Sequence, residues 1–133
     1  MCPPLSQRQM TLTAKISNIG AMNEFVPPFE VSSKLTDQRY QCRFSHMWNG
    51  IATRHSDTID TKFFVDGRGV VVGLAHTAFV EFRARAGRDL SDREASHIAA
   101  HALRERLEQE EERALYDVPH ADVLRLIELL GLR

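Results

Sequence analysis

His97 and His101 stand four residues apart in a stretch with helical hydrophobic spacing. Positions i and i+4 of a helix lie one above the other, so both imidazoles can coordinate one transition metal ion. A carboxylate ligand would come from Glu94 or Glu105, each about one turn from one of the histidines. A zinc peptidase needs a glutamate directly after the first histidine, and Ile98 stands there, so the pattern predicts a divalent metal site without peptidase chemistry. The alternative is a solvated helix face with His–Glu pairs.

Cys42, His55 and Asp57 form a second set of side chains that could do chemistry together. Asn49 followed by Gly50 favours a two-residue type I′ turn, because both central positions need a positive φ. That turn predicts a hairpin in which Cys42 faces Asp57 and lies diagonally across from His55. The arrangement would suit a thiol–imidazole–carboxylate catalytic site. The alternative is that Cys42 is a small buried core residue, as cysteines usually are.

A third candidate site is a group of arginines close together in the sequence, where two predicted helices meet. Its members are Arg83, Arg85, Arg88 and Arg93. Guanidinium groups bind phosphates, so this cluster predicts a nucleic-acid-binding surface. Glu81, Asp89 and Asp92 are interspersed among the arginines, and the alternative is an ordinary surface of mixed charge.

Other catalytic and cofactor motifs are missing from the sequence. Gly67-Arg68-Gly69 precedes a strand pattern and not a helix, so it is neither a P-loop nor a dinucleotide fingerprint. The chain contains no G-x-S-x-G motif and no C-x-x-C pair. We therefore expect no cofactor other than a divalent transition metal at the two histidines.

Residues 39–75 organise the elements that would position these groups. Alternating and β-branched residues there predict a β-meander of four short strands, with a second turn at Asp66 and Gly67. Residues 10–16 also alternate and predict a further strand, and residues 29–32 predict a short edge strand. The expected sheet is antiparallel and has about five strands.

After the meander the hydrophobic period lengthens to about 3.6 residues, which is typical of helices. The first predicted helix ends at Gly87, a residue type that terminates helices in the left-handed conformation. Ser91 and Glu94 match a capping box and begin a second helix over residues 92–115. A third, amphipathic helix ends at Gly131. The sequence thus predicts an α+β fold with three C-terminal helices packed on one face of the sheet.

The composition favours one α+β domain over residues 10–133, preceded by a disordered tail at residues 1–9, and Met10 is an alternative start to Met1. The chain has 133 residues, of which 43% are hydrophobic, enough for a substantial core. Its 17 basic and 18 acidic residues leave a net charge of −1, so binding to nucleic acid or membranes needs a local patch. Two cysteines make no disulfide framework and no signal-peptide pattern begins the chain, which predicts a cytoplasmic protein without membrane association.

These patterns predict a non-catalytic protein-interaction or regulatory module. The last predicted helix carries more leucines than its core stripe needs, which predicts an apolar patch covered by a second subunit and hence a homodimer. The helical face and the acidic stretch around Glu110 are the expected contact surfaces. Nucleic-acid binding by the arginine cluster, and metal binding or enzymatic activity at the histidines, are the alternatives.

Overall fold

A computed structural model describes the fold over residues 23–133. Along the chain the elements are β1 (Phe29–Ser32), β2 (Arg39–Asn49), α1 (Gly50–Arg54), β3 (Thr58–Val65), β4 (Arg68–Ala75), α2 (His76–Ala86), α3 (Asp92–Glu108), β5 (Leu115–Val118) and α4 (His120–Leu129). The tail predicted at residues 1–9 and the strand predicted at residues 10–16 lie outside the described residues.

The described strands form one sheet in the order β1-β2-β3-β4-β5. Strands β1 to β4 pair antiparallel with one another, whereas β5 runs parallel to β4. The α+β class is therefore confirmed, but the prediction of an entirely antiparallel meander is wrong. Helices α2 and α3 lie between β4 and β5. Because this helical connection crosses back over the sheet, β5 enters it in the same direction as β4.

The turn predicted at Asp66 and Gly67 is confirmed. Both residues have positive φ, at 52° and 81°, as a type I′ turn requires. Val65 pairs with Arg68 across this two-residue loop, so the turn sets the register of the whole β3–β4 hairpin.

The turn predicted at Asn49 and Gly50 is wrong. Asn49 has extended backbone, and its side-chain oxygen accepts a hydrogen bond from the Ile51 amide at 2.8 Å. Asparagine is as good a helix cap as a turn residue, and here it begins α1. The chain therefore leaves the sheet where a strand was expected, and β2 pairs instead with β3, for example Trp48 with Asp60.

Two of the predicted helix signals are confirmed, and one predicted helix end is wrong. Ser91 and Glu94 form the predicted capping box at the start of α3, and Gly87 ends α2 with φ at 75°. However, α3 ends at Glu108 and not at residue 115. The Tyr116 hydroxyl donates to the Glu111 carbonyl at 2.7 Å, holding the turn from which β5 begins.

The core lies between one face of the sheet and the three longer helices. In β3, Phe63 and Val65 point inward and are fully buried, whereas Lys62 and Phe64 alternate to the outer face and are half-buried. The largest fully buried side chains are Tyr40, Phe63, Leu74, Ile98, Leu103, Leu107 and Leu126. Within residues 23–133, α1 is the helix that covers part of the outer face.

We expect Leu103→Ala to lower the free energy of unfolding by about 3 kcal/mol, because it leaves a cavity in the α3 contact with the sheet. The Leu103 side chain is 0% exposed. The matched control is Leu129→Ala, at a position 58% exposed on α4, which should change stability by less than about 0.5 kcal/mol. Urea denaturation measures both; equal effects would contradict the packing described for α3.

Candidate functional site

The structure does not bring Cys42, His55 and Asp57 together. Cys42 faces Val65 across the β2–β3 ladder and is 3% exposed, on the core side of the sheet. Burial raises the pKa of its thiol to about 11, which disfavours the reactive thiolate. His55 ends α1 in the left-handed conformation, and Asp57 lies 3.5 Å from His76 instead. The predicted hairpin would have brought these three side chains together. Residues 50–54 form α1 instead of a strand, so the three side chains are separated.

The two predicted metal ligands, His97 and His101, have different partners. The His97 Nε2 atom lies 3.0 Å from the Glu24 carbonyl oxygen. The His101 Nε2 atom lies 3.8 Å from the Glu105 carboxylate, which also accepts two hydrogen bonds from Arg125, at 2.8 and 3.0 Å. Within residues 23–133 no group of three or more histidine, cysteine, aspartate or glutamate side chains is placed to hold a metal ion. A metal site here stays a prediction.

The predicted arginine cluster is largely occupied by partners inside the protein. Its contacts are Arg83 with Asp89 at 3.6 Å, Arg85 with Glu81 at 2.7 Å, Arg88 with Glu94 at 2.9 Å, and Arg93 over the Phe25 ring at 5.1 Å. Three of the four guanidinium groups are thus neutralised locally, which weakens the field that the cluster offers to phosphates.

A different basic surface lies on the outer face of the sheet, where alternation in β2 already places Arg43. We call it the sheet-face patch, and its residues are Arg43, His46 and Trp48 on β2 with Lys62 and Phe64 on β3. In the ladder Arg43 pairs with Phe64 and His46 pairs with Lys62. Strict alternation would place Arg43 and His46 on opposite faces, but a bulge between Phe44 and His46 inserts one residue and turns both outward.

Aromatic rings and cations are in direct contact within the sheet-face patch. The Arg43 guanidinium lies 4.3 Å from the centre of the Phe64 ring, and the Lys62 ammonium lies 5.4 Å from it. The His46 and Trp48 rings are 5.1 Å apart. Gly69 faces Phe64 from β4, and a Cβ there would lie 3.0 Å from Lys62 Cε, so the missing side chain leaves room for the lysine stem.

The positive charge of the sheet-face patch is not compensated by nearby carboxylates. Within the part of the chain that the structure describes, neither Arg43 nor Lys62 has a carboxylate oxygen within 4.0 Å. Ion pairs elsewhere occupy Lys34, Arg54, Arg68, Arg83, Arg85, Arg88, Arg106, Arg113 and Arg125. Among the described residues, Arg43 and Lys62 are therefore two neighbouring cations without an ion pair, in a protein whose formal charge is −1.

A buried ion pair closes one end of this face. Asp60 on β3 is 0% exposed, and Arg54 from α1 donates to both of its carboxylate oxygens, at 2.8 and 2.9 Å. The Thr58 hydroxyl donates to the same carboxylate at 2.7 Å, and Arg54 also reaches Asp117 on β5 at 3.0 Å. The network ties α1 to two strands of the sheet.

Two glycines make room for the network. A Cβ on Gly73 would lie 2.5 Å from Arg54 Nη2 and 2.8 Å from Asp60 Oδ1, and a Cβ on Gly50 would collide with the Thr58 hydroxyl. With α1 seated in this way, the Trp48 indole N–H donates to Thr53 on α1 at 2.9 Å. This hydrogen bond joins Trp48 of the sheet-face patch to the helix that the ion pair holds.

The Asp60 carboxyl stays ionised at neutral pH. Burial by itself raises its pKa, but hydrogen bonds from Arg54 and Thr58 outweigh burial and hold the pKa below its usual value. An unfolded Asp60 binds a proton at about pH 4, whereas the folded one does so only at lower pH. The stability that this group contributes is therefore present above about pH 4 and is lost as the pH falls through the folded pKa.

Comparison with known proteins finds nothing similar: no family model matches the chain, and neither a curated protein nor a solved structure resembles it. Within residues 23–133 no helix is both long and apolar enough to cross a membrane. The function of the sheet-face patch is therefore argued from its geometry.

We expect Asp60→Asn to lower the free energy of unfolding by about 3 kcal/mol at pH 7, because it removes one charge of a buried pair. The matched control is Asp117→Asn, which loses a carboxylate bound to the same guanidinium but with its side chain 62% exposed. That change should cost less than about 1 kcal/mol.

Urea denaturation of both variants and the wild type, repeated between pH 7 and pH 3, measures these differences. The difference in free energy of unfolding between the wild type and Asp60→Asn should become smaller toward pH 3, because the wild-type carboxylate then becomes protonated. An equal loss of stability in Asp60→Asn and Asp117→Asn would contradict the role of Asp60 as the buried partner of Arg54. A stability difference that does not change with pH would contradict it as well.

Proposed function

We propose that the protein binds single-stranded nucleic acid on the sheet-face patch. The observation that carries this proposal is the pairing of uncompensated cations with an outward-facing aromatic ring, where Arg43 and Lys62 both lie against Phe64. Phosphates supply the charge that the two cations lack within the described chain. Unpaired bases stack on aromatic rings and on flat guanidinium groups, and a sheet face offers such positions on neighbouring strands.

The shape of the patch favours a single strand over a duplex. Duplex readers insert a helix or a ribbon into a groove, whereas here the side chains stand on the outer surface of β2 and β3. Stacking on Phe64 or Trp48 requires bases that are not already paired. With two permanent cations and His46 in the patch, we expect modest affinity that depends on salt concentration.

Protein interaction is the second candidate, and it uses the same face. Val71 is half-buried beside Lys62, and Leu115 on β5 is 39% exposed, so apolar side chains extend the patch toward the sheet edge. Tryptophan and arginine are the residues most enriched at the energetic centres of protein interfaces. The partner in this case is a second copy of the chain, forming a cytoplasmic homodimer.

We expect the double variant Arg43→Ala/Lys62→Ala to bind a fluorescein-labelled oligothymidylate more weakly, with a salt slope reduced by about 0.7 per cation removed. Phe64→Ala should weaken binding by about 1–3 kcal/mol without changing the slope, because it removes a stacking surface and no charge. Fluorescence anisotropy at several salt concentrations separates these two effects.

The control is Arg83→Ala on α2, which removes an arginine already paired with Asp89 and should leave binding unchanged. Absence of oligonucleotide binding by the wild type at low salt, or equal weakening by Arg83→Ala, would overturn the proposal. Light scattering coupled to size exclusion tests the second candidate: a wild-type dimer that Phe64→Ala converts to a monomer would favour self-association.

A further inference from the structure

Thr77, His120 and Glu81 form a continuous chain of hydrogen bonds at the start of two helices. The Thr77 hydroxyl lies 2.7 Å from His120 Nδ1, although the two residues are 43 positions apart in the sequence. His120 Nε2 lies 2.9 Å from the Glu81 carboxylate. The helices α2 and α4 begin directly after the parallel neighbours β4 and β5, which brings Thr77 and His120 to the same edge of the sheet.

The partners of the imidazole determine the direction of proton donation. Arg85 donates to the other oxygen of Glu81 at 2.7 Å, and the hydrogen bonds from Arg85 and then His120 hold the pKa of the Glu81 carboxyl below its usual value. An ionised carboxylate only accepts hydrogen bonds, so Nε2 carries the proton. In the neutral ring Nδ1 then presents a lone pair, and the Thr77 hydroxyl donates to it. This is the arrangement of a hydroxyl nucleophile beside its general base.

Two features near the cluster bear on acyl transfer at this hydroxyl: the uncapped start of α2 and a groove between α2 and α4. No side chain caps α2, so the first-turn amides of Thr77 and Ala78 have no acceptor within the helix. A groove of about 670 Å³ runs between α2 and α4, beginning next to this cluster at Ala121 and Arg85. Phe82, Leu124 and Ile127 are among its lining residues and give it apolar walls.

We propose that this cluster hydrolyses carboxylic esters with an apolar group that lies in the groove. Thr77 and His120 are the catalytic residues, and Glu81 and Arg85 are positioning residues. The Thr77 oxygen attacks the ester carbonyl carbon while its proton passes to His120 Nδ1. The tetrahedral intermediate then expels the alcohol, which takes that proton and leaves an acyl group on Thr77.

Water completes the reaction. His120 takes a proton from the water as its oxygen attacks the acyl carbon, and the carboxylic acid leaves as the Thr77 oxygen is protonated again. Water is the only co-reactant, and no electron transfer is involved. The site shares no residue with the sheet-face patch, so this activity is independent of nucleic-acid binding.

The experiment follows hydrolysis of p-nitrophenyl butyrate by the full chain at neutral pH. We expect Thr77→Val, which is nearly isosteric and exposed, to lower kcat/KM about 100-fold or to the background rate. Thr77→Ser keeps the hydroxyl and should retain activity. Mass spectrometry after an acid quench should find a butyryl group on Thr77 in the wild type and none in Thr77→Val.

The histidines offer a matched control. His120→Gln should abolish turnover, whereas His76→Gln, at the equivalent first position of α2, should leave it unchanged. Glu81→Gln should lower kcat with little change in KM, as expected of a residue that acts through the imidazole. A wild-type rate equal to the buffer background, or equal rates for Thr77→Val and Thr77→Ser, would overturn the proposal.

Discussion

The buried carboxylate of Asp60 is the constraint on which the outer half of the structure depends. A charge removed from water must be paired, and Arg54 supplies the pairing from α1. For that guanidinium to reach Asp60, the chain must leave the sheet after β2 and fold back over it, which a tight hairpin would not allow. Gly50 and Gly73 keep the space clear where this happens. The ion pair thus holds α1 against the sheet, next to the hydrogen bond between Trp48 and Thr53.

The distribution of charge between the two sides of the sheet follows from the same architecture. On the helical side, arginines and carboxylates from different elements meet in pairs, as Arg125 and Glu105 do. On the outer face Arg43 and Lys62 stand beside aromatic rings, and within residues 23–133 no carboxylate reaches them. A nearly neutral protein can therefore present a local positive field. Salt screens charges that lie more than a Debye length away, about 10 Å, so a bound partner responds to this local field and not to the net charge of the protein.

The parallel pairing of β4 and β5 has a separate consequence at the edge of the sheet. Parallel neighbours that each lead directly into a helix place two helix starts side by side. Thr77 and His120 meet for this reason, and Glu81 reaches the same imidazole from one turn further along α2. The nucleic-acid and ester proposals thus arise from different parts of one sheet: the first from a bulge in β2 on the outer face, the second from the direction of β5 at the edge.

The sequence by itself determined the turns and helix ends that depend on only a few neighbouring residues. The Asp66-Gly67 turn, the capping box of Ser91 and the glycine that ends α2 each satisfy their own backbone groups locally, so distant contacts do not alter them. The tertiary structure decided the rest. Asn49 serves equally as a turn residue or a helix cap, and the buried partner of Arg54 selected the cap. The four-residue β5 forms because β4 lies beside it, and the bulge that turns His46 outward has no local signature. These choices depend on which distant groups must be buried or paired, and such groups meet only after the chain has folded.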